Sequence, residues 1–252
     1  MKKTSHNPKV IVDPLHFVNY ALSDRISLIK DYHSALFCFD DLIYRNLKKM
    51  FTGSILSGLT GELYLMDSKI ALAGQFGIGC PSTITFLEEL VACGIKRFVG
   101  IGSAGTLHAD INHGDVVLCD VAFSDEGTSS HYPDYKLFSK PSRTLNARLA
   151  LWFQKNNVSF VNGKTWTTDT PYRETKQELE YFLNLGADVV DMESSAMFNV
   201  CHFRKIEIAC VFVIGDSISG GTWKPVFRSK DIKDKSLLVA REIIKYLSEK
   251  PV

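Results

Sequence analysis

The feature that most constrains the fold is a regular alternation of strand-like and helix-like segments along most of the chain. Residues 206–214 form an almost continuous apolar run, which is typical of a strand covered on both faces. Between Pro81 and Gly94, apolar side chains recur at helical spacing, and Pro and Gly are typical start and stop signals of a helix. This alternation predicts a layered α/β fold with a largely parallel sheet.

The remaining segments continue the alternation without an internal repeat or a linker. We therefore predict a single domain over residues 1–252, in which residues 1–60 form a divergent N-terminal part. The other predicted strands are 62–66, 69–76, 97–101, 115–123, 158–165 and 188–192, and the other predicted helices are 142–152, 174–185, 195–203 and 237–247.

Composition excludes several classes of protein. The 29 Lys and Arg residues nearly balance the 28 Asp and Glu residues, so the chain has no general attraction to nucleic acid or to acidic membranes. The six cysteines form no C-x-x-C pair and are expected to be buried thiols in a reducing compartment. The N-terminus is polar, and no apolar run approaches the ~18 residues of a membrane span. The sequence therefore predicts a cytoplasmic protein.

Two glycine-containing segments are expected where strands end, which is the edge of an open α/β sheet that binds ligands. Residues 77–79 read Gly-Ile-Gly and precede a helix, whose N-terminus favours anions. Residues 102–105 read Gly-Ser-Ala-Gly and directly follow predicted strand 97–101. Each pattern is also typical of a tight turn, so neither alone predicts a binding site.

Two acidic residues occupy comparable positions. Glu193 lies between predicted strand 188–192 and the following helix, and Asp216 follows the apolar run 206–214. Acids at helix N-termini also serve as caps and as partners of the helix dipole. Together with the glycine segments, these residues predict two carboxylates and two glycine loops at one edge of one sheet.

These motifs resemble those of the purine and uridine phosphorylase family, and they occur in the same order. The resemblance is carried by residues 77–82 (GIGCPS), 101–105 (IGSAG) and 192–194 (MES). Residues 166–175 (WTTDTPYRET) resemble a less characterised branch of that family. The resemblance implies a three-layer α/β/α fold around a mixed, partly barrel-like central sheet. It also implies a homo-oligomer, such as a dimer or a trimer of dimers.

The activity implied by the resemblance is that of a nucleoside phosphorylase, a pentosyltransferase. Phosphate attacks C1′ of a nucleoside, here expected to be a purine nucleoside, and releases the free base and ribose 1-phosphate. A sister group uses water instead. The expected partners are a nucleoside and inorganic phosphate, the latter as co-substrate. No cofactor, metal ion, nucleic acid or membrane is expected.

The resemblance also implies residue roles. Glu193 accepts hydrogen bonds from the ribose 2′- and 3′-hydroxyls, and Met192 packs against the sugar. Asp216 donates a proton to N7 of a leaving purine or shares one with it, which requires a pKa raised above its ordinary value of about 3.9. Pro171 and Tyr172 match the segment that walls the base. Because Pro171 holds a position where Phe is common, Tyr172 is expected to stack on the base.

The phosphate site departs from the family pattern. Ser103 matches a phosphate-contacting Ser or Thr, and Gly77 lines the same pocket. Gly100, however, stands where the family usually carries a strand Arg that grips phosphate. Arg25 is the candidate replacement, and Arg45 is the candidate for an arginine donated across a subunit interface. Both residues also fit an ordinary surface position, and that interpretation is favoured for Arg45.

Three functions therefore remain open. Phosphorolysis is the first, and hydrolysis by a nucleosidase is the second, which the loss of the strand Arg at Gly100 favours. The third is a non-catalytic nucleoside-binding protein, which has little need of an acid such as Asp216. By resemblance, His6 or His16 corresponds to a family histidine that reaches a neighbouring subunit's ribose.

Overall fold

The computed structural model describes residues 10–133 and 135–249, so His6 lies outside the described residues. Within the described residues, the strands form one continuous sheet in the order β11-β10-β6-β8-β9-β5-β1-β4-β3-β2, with β7 attached to β6. The strands are β1 (Ser34–Cys38), β2 (Gly53–Leu56), β3 (Glu62–Met66), β4 (Ile70–Gly74), β5 (Arg97–Thr106), β6 (Val116–Asp125), β7 (Phe138–Ser139), β8 (Val161–Thr168), β9 (Val189–Asp191), β10 (Glu207–Ser217) and β11 (Lys224–Pro225).

Five of these strands close into a barrel. β5 pairs with β10 in parallel along its whole length, and β6, β8 and β9 complete the ring back to β5. The rest of the sheet continues from β5 through β1 and β4 to the hairpins β3–β4 and β2–β3. The sheet is thus mixed rather than largely parallel, because hairpins and barrel closure add antiparallel pairs. The mixed, partly barrel-like sheet implied by the resemblance is confirmed.

Helices cover both faces of the sheet. One apolar cluster joins it to α1, α3 and α6 through Val18, Ile84 and Met197, and the other joins it to α2, α4 and α7. The helices are α1 (Pro14–Leu22), α2 (Asp41–Met50), α3 (Cys80–Ala92), α4 (Arg143–Lys155), α5 (Lys176–Asn184), α6 (Ser194–Arg204) and α7 (Lys230–Ser248). Short 3-10 helices span Ser23–Ile29, Ser129–His131, Pro171–Arg173 and Ser219–Gly221.

Helix α5 belongs to neither of these two layers. Its Phe182 stacks on Trp166 of β8 with ring centroids 4.5 Å apart, within a third small apolar cluster. In the described residues, no helix is both long enough and apolar enough to cross a bilayer.

Two strands run further than the sequence predicts. β5 ends at Thr106 rather than at residue 101, and β10 ends at Ser217 rather than at residue 214. Barrel closure explains the difference, because Gly105 and Thr106 pair with β9 on one side and with β10 on the other. The segment 102–105 is therefore strand, and the expectation of a loop there is wrong.

Candidate active site

A cavity of about 640 Å³ opens at the end of the barrel where β5, β9 and β10 finish. Ser103, Ala104 and Gly105 line it from β5, and Asp216 lines it from β10. Met192 and Glu193 lie in its wall at the junction of β9 with α6. The two carboxylates and both glycine segments singled out in the sequence thus converge on one cavity.

The β9–α6 junction is built around Asp191, which is almost fully buried. Its Oδ2 accepts the backbone N–H groups of Glu193 at 3.1 Å and Ser194 at 2.7 Å. Its Oδ1 accepts the hydroxyls of Thr165 at 2.9 Å and Thr167 at 2.6 Å on β8. Asp191 therefore ties the start of α6 to the barrel, which fixes the backbone on which Glu193 stands.

Glu193 is buried, with 7% of its surface exposed. Its Oε1 accepts the backbone N–H of Gly79 at 2.9 Å. Burial, followed by the charge of Asp191, raises the Glu193 pKa to about 8, although hydrogen bonds from the Gly79 and Met192 backbones oppose the shift. The carboxyl group is thus held by backbone donors in the wall of the cavity.

Asp216 lines the same cavity from β10. Its Oδ2 accepts the indole N–H of Trp223 at 2.7 Å. A register shift in the β5–β10 pairing falls between Ile214 and Asp216, and it turns the side chain toward Gly105. Gly105 leaves room for it, since a Cβ there would lie 3.2 Å from Oδ1. Burial raises the Asp216 pKa, while Trp223 and the charge of His113 oppose that rise.

The structure brings six of the predicted site residues to the cavity and leaves three outside it. Those that line it are Gly77, Ser103, Pro171, Met192, Glu193 and Asp216. Tyr172 is 98% exposed and points elsewhere. Arg25 donates to the backbone carbonyls of Ala21 and Ser57, each at 3.0 Å. Arg45 forms an ion pair with Asp41 at 3.3 Å. Within a single chain, phosphate and base contacts by these three residues stay predictions.

The cavity wall is rich in carboxyl groups. Among the described residues, no Lys, Arg or His lines it. The carboxyl groups that do are Asp40, Asp41, Glu174, Asp191, Glu193 and Asp216. Those of them that are ionised disfavour an anion unless a cation is supplied from outside the chain.

The Phe39 ring occupies the space beside Gly100, the position where the family usually carries a strand Arg. Its backbone N–H donates to Ile101 on β5 at 2.9 Å, which places the ring against Gly100 and Gly102. A Cβ at Gly100 would lie 2.6 Å from Phe39 Cζ and 3.0 Å from Cys210 Sγ. The space that a side chain at position 100 would enter is therefore filled.

We expect Gly100→Ala to lower the free energy of unfolding by about 1–3 kcal/mol, the usual cost of overpacking a core. Urea unfolding measures the change. Gly127→Ala is the matched control, because its Cβ would make only an ordinary contact of 3.7 Å with Asp169 Oδ2. If Gly100→Ala were as stable as the control, the Phe39 ring would be free to move and position 100 would have room for a side chain.

Sequence reasoning missed several residues that line the cavity, among them Phe39, Phe227 and Glu174. Phe39 and Phe227 carry no motif, and only the fold brings them to the barrel mouth. Glu174 lies within the quoted segment 166–175, but its position before a helical pattern indicated a helix start. In the structure it precedes Thr175, the residue that caps α5.

Comparison with known proteins places this fold and cavity in a family. Residues 48–248 match the model of the Phosphorylase superfamily. A crystal structure of AMP nucleosidase from Bacteroides thetaiotaomicron superposes with a TM-score of 0.74, covering 93% of this chain and 95% of that chain. At 18% identity, this likeness concerns the fold.

Curated relatives share the family at modest identity. A guanosine phosphorylase of Halorubrum lacusprofundi is 24% identical over 160 residues, which are 64% of this chain and 66% of that protein. A DeoD-type purine nucleoside phosphorylase of Dichelobacter nodosus is 25% identical, over 73% of this chain and 81% of that protein. A uridine phosphorylase of Treponema pallidum is 28% identical, over 55% and 58%. The chain thus spans about two thirds or less of two of these three relatives.

With four fifths of its length matched by the family model, the chain belongs to the phosphorylase superfamily of nucleoside phosphorylases and nucleosidases.

Proposed function

We propose that the protein cleaves the N-glycosidic bond of a purine nucleoside, releasing the free base. The observation that carries this proposal is that Glu193, at the β9–α6 junction, and Asp216, on β10, line one cavity of about 640 Å³. Cleavage leaves positive charge on the sugar and negative charge on the base. A carboxylate stabilises the positive charge on the sugar, and an acid neutralises the negative charge on the base by giving it a proton.

Glu193 is suited to the sugar. Its carboxyl group lines the cavity, where it can accept hydrogen bonds from the 2′- and 3′-hydroxyls, while the Gly79 N–H holds Oε1 in place. Burial and the charge of Asp191 favour its neutral form. Oxocarbenium character at C1′ favours the carboxylate instead, so this group binds the transition state more strongly than the substrate. Met192, which adjoins it in the cavity wall, supplies an apolar contact for the ring.

Asp216 and Pro171 define the base end. Asp216 is half-buried, and its raised pKa brings it closer to the range in which an acid can share a proton with N7. Pro171, at the start of the 3-10 helix before α5, gives that end an apolar wall. A pyrimidine has no atom equivalent to N7, so this arrangement favours purines.

The nucleophile that the cavity favours is water. The described chain gives the wall six carboxyl groups and no cationic side chain, and Phe39 fills the space beside Gly100. Dianionic phosphate would be repelled by those carboxyl groups that are ionised and would meet no cation, whereas a neutral water would not be repelled. The function supported best by this chain is therefore that of a nucleosidase.

Phosphorolysis is the second candidate, and one contact favours it. Arg45 binds Asp41, which lines the cavity, and both side chains are more than half exposed. An arginine at this rim, from this chain or from a second copy, would bind phosphate if it released Asp41. The phosphorylase names of the curated relatives support the same candidate.

The test is base release from inosine, guanosine, adenosine, methylthioadenosine and uridine, with phosphate or with sulfate at equal ionic strength. We expect the purine nucleosides to be cleaved equally in both, with free sugar as the product. Strict dependence on phosphate, with a sugar 1-phosphate as the product, would establish phosphorolysis. Stoichiometric binding without release of any base would contradict the enzyme and support a nucleoside-binding protein.

A further inference from the structure

We propose that Glu174 is a second catalytic acid, which supplies the proton that the leaving purine takes up. The inference rests on the proposed function and adds a residue to the same site. Glu174 lines the cavity together with Asp216, although it comes from the segment before α5 rather than from the barrel. Neither the sequence motifs nor the resemblance gave this residue a role.

The backbone on both sides of Glu174 is fixed. The 3-10 helix Pro171–Arg173 precedes it, and the Arg173 N–H donates to Thr170 at 2.8 Å. Thr175, which follows it, forms a capping box with Glu178: the Glu178 N–H donates to Thr175 Oγ1 at 3.2 Å, and the Thr175 N–H donates to Glu178 Oε2 at 2.9 Å. Glu174 is thus held between a turn and a cap, and its side chain enters the cavity from a rigid element.

The segment that carries Glu174 also contacts the loop above Asp216. A Cβ at Gly221 would lie 2.8 Å from Lys176 Cε, so the start of α5 packs on the 3-10 helix Ser219–Gly221. Trp223 follows in that loop and donates to Asp216 Oδ2. The two carboxyl groups thus line one cavity from segments that touch each other, close enough for the charge of Asp216 to act on Glu174.

Their hydrogen bonding differs. Asp216 accepts a hydrogen bond from Trp223, which favours its carboxylate. Glu174 has no hydrogen-bond partner among the described residues. Burial, then the charges of Asp216 and Glu178, raise the Glu174 pKa to about 7, and Arg173 and Lys176 flank it on its own segment. Of the two groups, Glu174 is the one that retains a proton near neutral pH.

The step balances without a further reactant. The C1′–N9 bond breaks, and its electron pair stays with the base, while N7 takes the proton of the Glu174 carboxyl group. Water adds to C1′ and releases one proton to solvent, and Glu174 recovers a proton from solvent before the next turnover. If phosphate is the nucleophile, the same transfer at Glu174 applies.

The experiment compares inosine with 7-methylinosine in Glu174→Gln. The methylated purine already carries a positive charge and leaves without protonation. We expect kcat/KM for inosine to fall about 100-fold, near the lower end of the usual range for loss of an acid, and that for 7-methylinosine to change less than about 3-fold. We also expect the alkaline limb of the inosine profile, near pH 7 in the wild type, to disappear.

Glu180→Gln is the matched control, since Glu180 is an exposed glutamate on α5. It should leave both substrates unaffected. An equal loss on both substrates in Glu174→Gln would indicate a structural role and overturn the inference, as would wild-type activity on inosine. If the wild type cleaves neither nucleoside, the proposed function itself fails, which is a distinguishable result.

Discussion

Glu193→Ala should lower kcat/KM for purine nucleosides by roughly 10²–10⁴-fold. Two hydrogen bonds from sugar hydroxyls to a charged group contribute about 1.5–3 kcal/mol each, and about 1.4 kcal/mol corresponds to a factor of ten in rate. Glu193 lines the cavity, and the neighbouring Asp191 cannot take its place, because it already accepts four hydrogen bonds. Steady-state base release measures the loss.

Glu193→Gln is the control variant for folding. The direction of its effect on stability follows from the Glu193 pKa. The folded-state pKa, about 8, lies above the ordinary value of 4.5. The stabilising effect of the protonated group is therefore complete below about pH 4.5 and is lost as the pH rises toward 8. Glutamine does not titrate, so the variant should gain stability relative to the wild type across this window. Urea unfolding at pH 5 and pH 8 measures it.

A loss of activity in Glu193→Ala together with unchanged binding of the nucleoside would place Glu193 in the chemical step. A loss of binding alone, with kcat preserved, would contradict its role in stabilising the sugar cation. Parallel pH dependences of stability in the wild type and Glu193→Gln would contradict the description of Glu193 as a buried carboxyl that the fold keeps neutral.

The parts of the site that could be predicted from sequence are those encoded locally. Glu193 lies at a strand-to-helix junction, and that junction could be predicted from the few residues on either side of it. The helix after Pro81 was equally readable, and α3 begins at Cys80 as its start signals indicate. Local signals of this kind do not depend on which strand becomes the neighbour.

The parts that could not be predicted depend on pairing between distant segments. Gly105 belongs to a strand because β9 and β10, both more than 80 residues later in the chain, pair with it when the barrel closes. Phe39 lies against Gly100 for the same kind of reason, since β1 and β5 are neighbours. The sequence shows that an arginine is missing at position 100, but only the fold shows that an aromatic ring fills the space.

Asp216→Asn should lower kcat/KM for inosine by roughly 10²–10³-fold and that for uridine by less than about 10-fold. Asparagine keeps the shape of the side chain but can neither hold nor share a proton. It also removes the charge that raises the Glu174 pKa, so that Glu174 is more ionised at neutral pH. A leaving pyrimidine has no N7 and is affected less. If the wild type does not cleave uridine, 7-methylinosine is the comparison substrate.

Trp223→Phe is the control, since it removes the indole N–H from Asp216 Oδ2 and leaves the carboxyl group in place. The Asp216 pKa should rise further in this variant, because the hydrogen bond from Trp223 lowers it in the wild type. We expect this variant to retain most of its activity on inosine, with its pH optimum moved to higher pH. Equal losses on inosine and uridine in Asp216→Asn would contradict a role for Asp216 at N7.

The double variant Glu174→Gln with Asp216→Asn tests whether the two carboxyl groups act as one unit. If a single proton is held by the pair, removing either partner disables the transfer, and the second substitution adds little. We therefore expect the double variant to be within about 10-fold of Asp216→Asn on inosine, because groups that act together give non-additive losses. Fully additive losses would show two independent contributions, with Asp216 protonating the base and Glu174 acting elsewhere in the site.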